Sequence, residues 1–172
     1  MMKLREVKNT ANNVPSYEDV CNHLANYGAP LLRDSSRPVK MSLEETTKWG
    51  IQFSQTDGLL ESVMSYFLYL NFSKLNRARL FSYLNQENQF QLLGYFLELA
   101  FQYSKSKKIK FFLSSFYQPD LPPIYCGMQR PSKRALDVVK SKNNPAARKW
   151  NVTVFGSKTD YFDRFRKWEK IV

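Results

Sequence analysis

Few side chains in this sequence are able to do covalent or metal chemistry. The chain has one histidine, His23, and two cysteines, Cys21 and Cys126. Cys21 and His23 form a C-x-H fragment, but no second C-x-x-C or H-x-H pair completes a tetrahedral zinc site. The two cysteines lie far apart and cannot build a disulfide framework. A Ser/His or Cys/His relay has a single candidate base, and no residue stands out as its nucleophile. The carboxylate pairs Asp57/Glu61 and Asp160/Asp163 have the spacing of ordinary helix-face charges. The glycines Gly28, Gly50, Gly58, Gly94, Gly127 and Gly156 never fall into G-x-G-x-x-G or P-loop spacing. The expectation is a protein with no metal, no cofactor and no catalysis. An enzyme acting on nucleic acid would need an acid/base set gathered around His23 or the carboxylates.

Charge is the more specific signal. Residues 1–100 carry ten Lys/Arg and ten Asp/Glu, whereas residues 101–172 carry sixteen and five. The entire net charge of +11 therefore belongs to the last 72 residues. Such a one-sided field attracts nucleic-acid phosphates, an anionic membrane or an acidic protein. Nucleic-acid affinity rests mainly on Lys and Arg neutralising phosphates. The candidate phosphate-directed cations are Lys107, Lys108 and Lys110, then Arg130, Lys133 and Arg134, then Lys140, Lys142, Arg148 and Lys149. Tyr103, Tyr117, Tyr125, Phe155 and Tyr161 are interleaved with them and are candidates for stacking on unpaired bases. Membrane binding is the weaker reading: the basic segment Tyr161–Lys170 is short, and neither a myristoylation glycine nor a C-terminal Cys box is present.

These side chains need a scaffold, and 172 residues suffice for one domain or two small ones. An apolar content of 43%, with 15% aromatic residues, is too high for disorder. No apolar run is long enough to span a bilayer, and Met1–Thr10 has no apolar core of a secretory signal, so a cytoplasmic protein is expected. Ser16 caps a short helix through about Tyr27, with Val20 and Leu24 inward and Gly28 as its stop. A loop follows, then a short strand over Val39–Leu43. Residues 54–104 read as three helices. The first opens on a Ser54-x-x-Asp57 capping box and buries Leu59, Leu60, Val63, Met64, Phe67 and Leu68. The second is capped by Ser73, and the third carries Phe90, Leu93, Leu97, Ala100 and Phe101. Beyond a basic turn at Lys105–Lys108 and an apolar run Ile109–Leu113, Pro119, Pro122 and Pro123 mark a loop. Trp150–Phe155 alternates and is β-branched, hence a strand. Its partner is Arg134–Val139 in a basic hairpin, or else Ser132 caps a helix over 133–140. The hairpin is preferred. A final helix runs from Tyr161 to Lys170. The fold class expected is thus α+β: a three-helix antiparallel layer, a small basic β-hairpin region and a C-terminal helix. Residues 1–48 form an N-terminal subdomain and 49–172 the main domain.

Three segments carry a family resemblance. Ser54-Gln55-Thr56-Asp57-Gly58-Leu59-Leu60-Glu61 resembles the S-P-E-R-x-L-L-E opening of a helix in the abortive-infection E-type antitoxins of type IV toxin–antitoxin systems. Leu93-Gly94-Tyr95-Phe96-Leu97-Glu98-Leu99 is similar to that family's L-G-Y-L-L-E-L helix. Ser132-Lys133-Arg134 with Trp150-Asn151-Val152-Thr153-Val154 resembles its closing basic turn and hairpin strand. The likeness covers roughly residues 48–156, mainly the family's C-terminal domain. Gln55, Thr56 and Asp57 replace its Pro, Glu and Arg, and Gln91-Leu92 its basic pair. The resemblance implies a transcriptional regulator in phage defence. Such a regulator binds promoter DNA and is functionally paired with a nucleotidyltransferase-type toxin. It also implies a winged helix-turn-helix at the N-terminus, for which residues 1–48 leave room only in reduced form.

Two functions follow. The first is a non-enzymatic, antitoxin-like regulator whose basic C-terminal half contacts nucleic-acid phosphates, DNA before RNA. The second is a protein-interaction module that docks an acidic partner and has no nucleic-acid role.

Overall fold

A helix buried on every side needs packing partners on every side, and the third helix read from residues 54–104 is one. It runs from Glu87 to Ser104, and an unbroken stretch from Gln91 to Ala100 is buried. The computed structural model describes residues 14–34, 40–129, 131–140 and 144–171. In it, eight further α-helices and one two-stranded sheet accompany this central helix, α5.

Around it, in chain order, come α1 (Tyr17–Asn26), α2 (Leu43–Ser54), α3 (Gly58–Asn71) and α4 (Arg77–Tyr83). Then follow α6 (Lys107–Ser114), β1 (Ile124–Tyr125), α7 (Lys133–Lys140), α8 (Pro145–Lys149), β2 (Val152–Thr153) and α9 (Lys158–Trp168). α3, α6, α8, α9, β2 and α2 all pack against α5. Side-chain caps set the boundaries: Ser16 opens α1 and Asn144 opens α8, while the capping boxes Ser42/Glu45 and Ser157/Asp160 open α2 and α9. A Cβ on Gly94 would fall 2.2 Å from the ring of Trp150. Only glycine lets the buried indole lie against the backbone of α5.

The fold is helical rather than α+β. The hairpin is replaced by two helices and a parallel strand pair. Ser132 accepts the Ala135 N–H at 3.2 Å and starts α7. Asn144 caps α8 with Pro145 at its first turn, where a missing N–H costs nothing. Asn151 then takes φ +50°, which ends α8 and delays the strand to Val152. Val152 and Thr153 pair in parallel with Ile124 and Tyr125, not with Arg134–Val139.

The antiparallel three-helix layer is also absent. α4 has only seven residues, buries Leu80 alone, and packs on α2 rather than forming a full third member. Its cap is Asn76, because Phe72–Lys74 forms a 3-10 turn where Ser73 was expected to start the helix. Ser54 is the last residue of α2 and Asp57 alone caps α3, its Oδ1 accepting the Leu60 N–H at 2.7 Å. No strand occupies Lys40–Leu43: Ser42 caps α2 there, and residue 39 lies outside the described residues. The division at residue 48 falls inside α2, which packs on both α1 and α3.

Candidate nucleic-acid interface and a buried carboxylate

The cations at 107, 108 and 110 stand on a helix, not on a turn. Ile109, Phe112 and Leu113 recur at i, i+3 and i+4 and face inward, so Lys107, Lys108, Lys110 and Phe111 face solvent. Phe112 is seated by Phe72, Phe81 and Phe116, with ring centroids 5.2–5.7 Å away. This packing fixes α6 against α4 and the preceding turn. It also brings in a cation from the neutral half of the sequence, since the Arg77 guanidinium lies 5.7 Å above the Phe112 ring. Between these elements opens a cleft of about 460 Å³, lined by Phe72, Ser73, Leu75, Arg77, Lys107, Lys108 and Phe111. Lys107, Lys108 and Lys110 make no ion pair among the described residues.

The remaining cations are not gathered on one hairpin. Lys133 and Arg134 are exposed on α7, and Lys140 closes that helix. Arg130 and Lys142 lie outside the described residues. Arg148 lines a second cleft, of about 270 Å³, which brings α8 beside Leu136 and Val139 of α7. Lys149 is engaged within the protein: its ammonium pairs with Glu98 of α5 at 2.7 Å and lies over the Tyr117 ring.

Of the five candidate stacking aromatics, Tyr161 is in the core. Tyr103 packs on Phe165 and donates its hydroxyl to Glu169, and Tyr117 packs edge-on against Trp150. Tyr125 on β1 and Phe155 just after β2 are exposed, and Tyr117 is partly so. Phe111, absent from the sequence-based set, is the most exposed aromatic described, at 77%. Its signal in the sequence is the position one residue off the inward stripe of α6.

A second centre was not expected from the sequence. Glu61, read there as half of a surface pair with Asp57, is 6% exposed. The Tyr95 hydroxyl of α5 donates to its Oε1 at 3.0 Å, and the Tyr161 hydroxyl of α9 donates to the same oxygen. Arg164 reaches the neighbouring Ser62 hydroxyl. Gly127, at φ +73°, passes so close that a Cβ would lie 3.0 Å from Glu61. The Cys126 thiol completes the wall and donates to the Ser54 carbonyl at 3.2 Å.

Burial raises the Glu61 carboxyl from an ordinary 4.5 to about 7, against the opposing pull of the two tyrosines and Arg164. Burial, together with the Glu61 charge, pushes the Tyr161 hydroxyl and the Cys126 thiol well up. Cys126 is therefore a protonated thiol and a poor nucleophile. The cavity beside this group is about 110 Å³. The arrangement fastens α3, α5, α9 and the segment after β1 to one another.

His23 is also buried, its imidazole held below the usual value by desolvation, with Nε2 facing the Lys40 N–H at 3.5 Å. Asp160 serves the α9 capping box and Asp163 pairs with Arg166 at 2.8 Å. Among the described residues no group of three His, Cys, Asp or Glu side chains is placed to hold a metal ion. Nor, among them, is any helix long and apolar enough to cross a membrane. No family model, curated protein or solved structure is significantly similar to this chain.

Proposed function

We propose that the protein is a non-enzymatic nucleic-acid-binding regulator of antitoxin type that contacts phosphates through its basic C-terminal half. The observation that carries this reading is the cationic cleft. Lys107, Lys108 and Arg77 line it, with Lys110 on the same helix, in a chain whose net charge is +11. Lysines without carboxylate partners are available to displace counterions from a polyanion. The role assigned to Glu61 is structural, since Tyr95 and Tyr161 both donate to its Oε1. The antitoxin element rests on the resemblance in residues 54–61 and 93–99. Pairing with a nucleotidyltransferase-type toxin belongs to the same proposal. The segment resembling a hairpin strand no longer adds to it, because no hairpin forms there.

The test is fluorescence anisotropy with duplex DNA, single-stranded DNA and structured RNA, each titrated across salt. Affinity that falls steeply with salt is expected, and its slope should flatten in the K107A/K108A double variant. Absence of binding to all three at low salt would overturn the proposal. The docking of an acidic protein would then account for the charge.

A further inference from the structure

We infer that the cleft between α6 and the Phe72–Arg77 segment takes an unpaired base of single-stranded nucleic acid, stacked on Phe111. This inference rests on the phosphate-binding reading and narrows it to a class of ligand. Phe111 is not needed for the core. Its neighbour Phe112 does that work, seated among Phe72, Phe81 and Phe116. The rest of the outer face of α6 is polar, with Lys107, Lys108, Lys110 and Ser114 exposed. At 111 an aromatic ring 77% exposed borders a cleft with apolar walls, Phe72 and Leu75, and a cationic rim, Arg77, Lys107 and Lys108. The volume, about 460 Å³, is that of a small-ligand pocket.

The combination matches the chemistry of an unpaired nucleotide. Each has an apolar π-face beside an anionic phosphate, and base–aromatic stacking is tolerant of sequence. A duplex keeps its bases stacked on one another and presents only its backbone and groove edges to such a surface. A lipid surface fits less well, since α6 has eight residues and one outward aromatic, too little apolar area to anchor.

The experiment compares the full chain with its F111A, F111W and K107A/K108A variants. The probes are a single-stranded DNA oligonucleotide, the RNA of the same sequence, the duplex, and phosphatidylserine vesicles. Position 111 is exposed, so all variants should fold, which far-UV circular dichroism checks. F111A should weaken single-strand binding roughly tenfold while leaving duplex binding and the salt slope unchanged. K107A/K108A should instead lower the single-strand slope by about 1.4. F111W should retain affinity, and its added indole emission should be quenched by a single strand but not by the duplex. The DNA and RNA arms identify which single strand is preferred.

Equal single-strand affinity in F111A and wild type, or unquenched F111W emission, would overturn the stacking cleft while leaving phosphate binding intact. No binding of any nucleic acid at low salt would overturn both. An F111W response to vesicles alone would overturn them too and reassign the face to lipid.

Discussion

Tyr161 and Glu61, one hundred residues apart in the chain, share a buried hydrogen bond that fastens the last helix to the third. The same Glu61 oxygen accepts the Tyr95 hydroxyl, so α3, α5 and α9 meet at one carboxylate. Removing the Tyr161 hydroxyl leaves that carboxylate with a single tyrosine donor in a desolvated site. Y161F should lose about 1–2 kcal/mol of stability, read as a lower urea midpoint at unchanged m-value. In an E61Q background the same change should cost less, because a neutral amide needs the donor less. Equal costs in both backgrounds would show that the two residues are not coupled.

The Glu61 carboxyl also sets a pH dependence. Its folded value, about 7, lies above the ordinary 4.5 of an unfolded chain. Between those values the folded protein holds a proton that the unfolded chain has released. The stabilisation is therefore complete below about pH 4.5 and is lost as pH rises through about 7, by about 3 kcal/mol over the window. His23 works in the opposite sense: its depressed value makes stability fall as pH drops through the imidazole range. Subtracting the urea-derived stability curve of E61Q from that of wild type isolates the carboxyl, since His23 contributes to both. The difference should decline with rising pH and level off above 7. A flat difference would mean that Glu61 titrates normally.

Gly94 makes a third prediction. A methyl group there would lie 2.2 Å from the Trp150 ring and would force the indole off α5. Gln91 of α5 donates to the carbonyl oxygens of Trp150, at 2.7 Å, and Pro122, at 2.8 Å, so the displacement would disturb the turn before β2 as well. G94A should cost about 1–3 kcal/mol and shift tryptophan emission to the red. Unchanged stability would show that the indole has room to move.

What could be read from residues alone follows the range of the interactions involved. The stop and start of α1, most of the apolar stripes of α3 and α5 and the amphipathic α9 depend on neighbours three or four positions away, and they were legible; Leu59, expected inside the α3 stripe, is instead 54% exposed. α2 was not. Its inward face includes Thr46, Thr47, Gly50 and Ser54, a weak apolar stripe that periodicity does not register. The choice between hairpin and helix turned on Ile124, which recruits Val152 from 28 positions away. With that partner taken, the Ser132 and Asn144 caps decided the rest. Glu61 looked like a surface charge because its partners, Tyr95 and Tyr161, come from distant helices. Arg77 joins the cationic cleft for the same reason: its place beside Lys107 is made by aromatic packing between Phe81 and Phe112.

The cations should separate by role. Lys149 is 42% exposed and pairs with Glu98, which is only 7% exposed, so K149A leaves a nearly buried carboxylate without its partner. Because the lysine is half in water, the cost should be modest, about 1 kcal/mol, and it should appear as a lower melting temperature. Its effect on nucleic-acid affinity should be small, since the ammonium is already held by Glu98 and Tyr117. Lys107 and Lys108 touch no carboxylate among the described residues. K107A/K108A should therefore leave the melting temperature within a degree or so of wild type while weakening binding at every sequence and reducing its salt dependence. Calorimetry and salt-titrated anisotropy on the same preparations measure both quantities. If K149A proved the more damaging to binding, the phosphate path would run over α8 rather than α6.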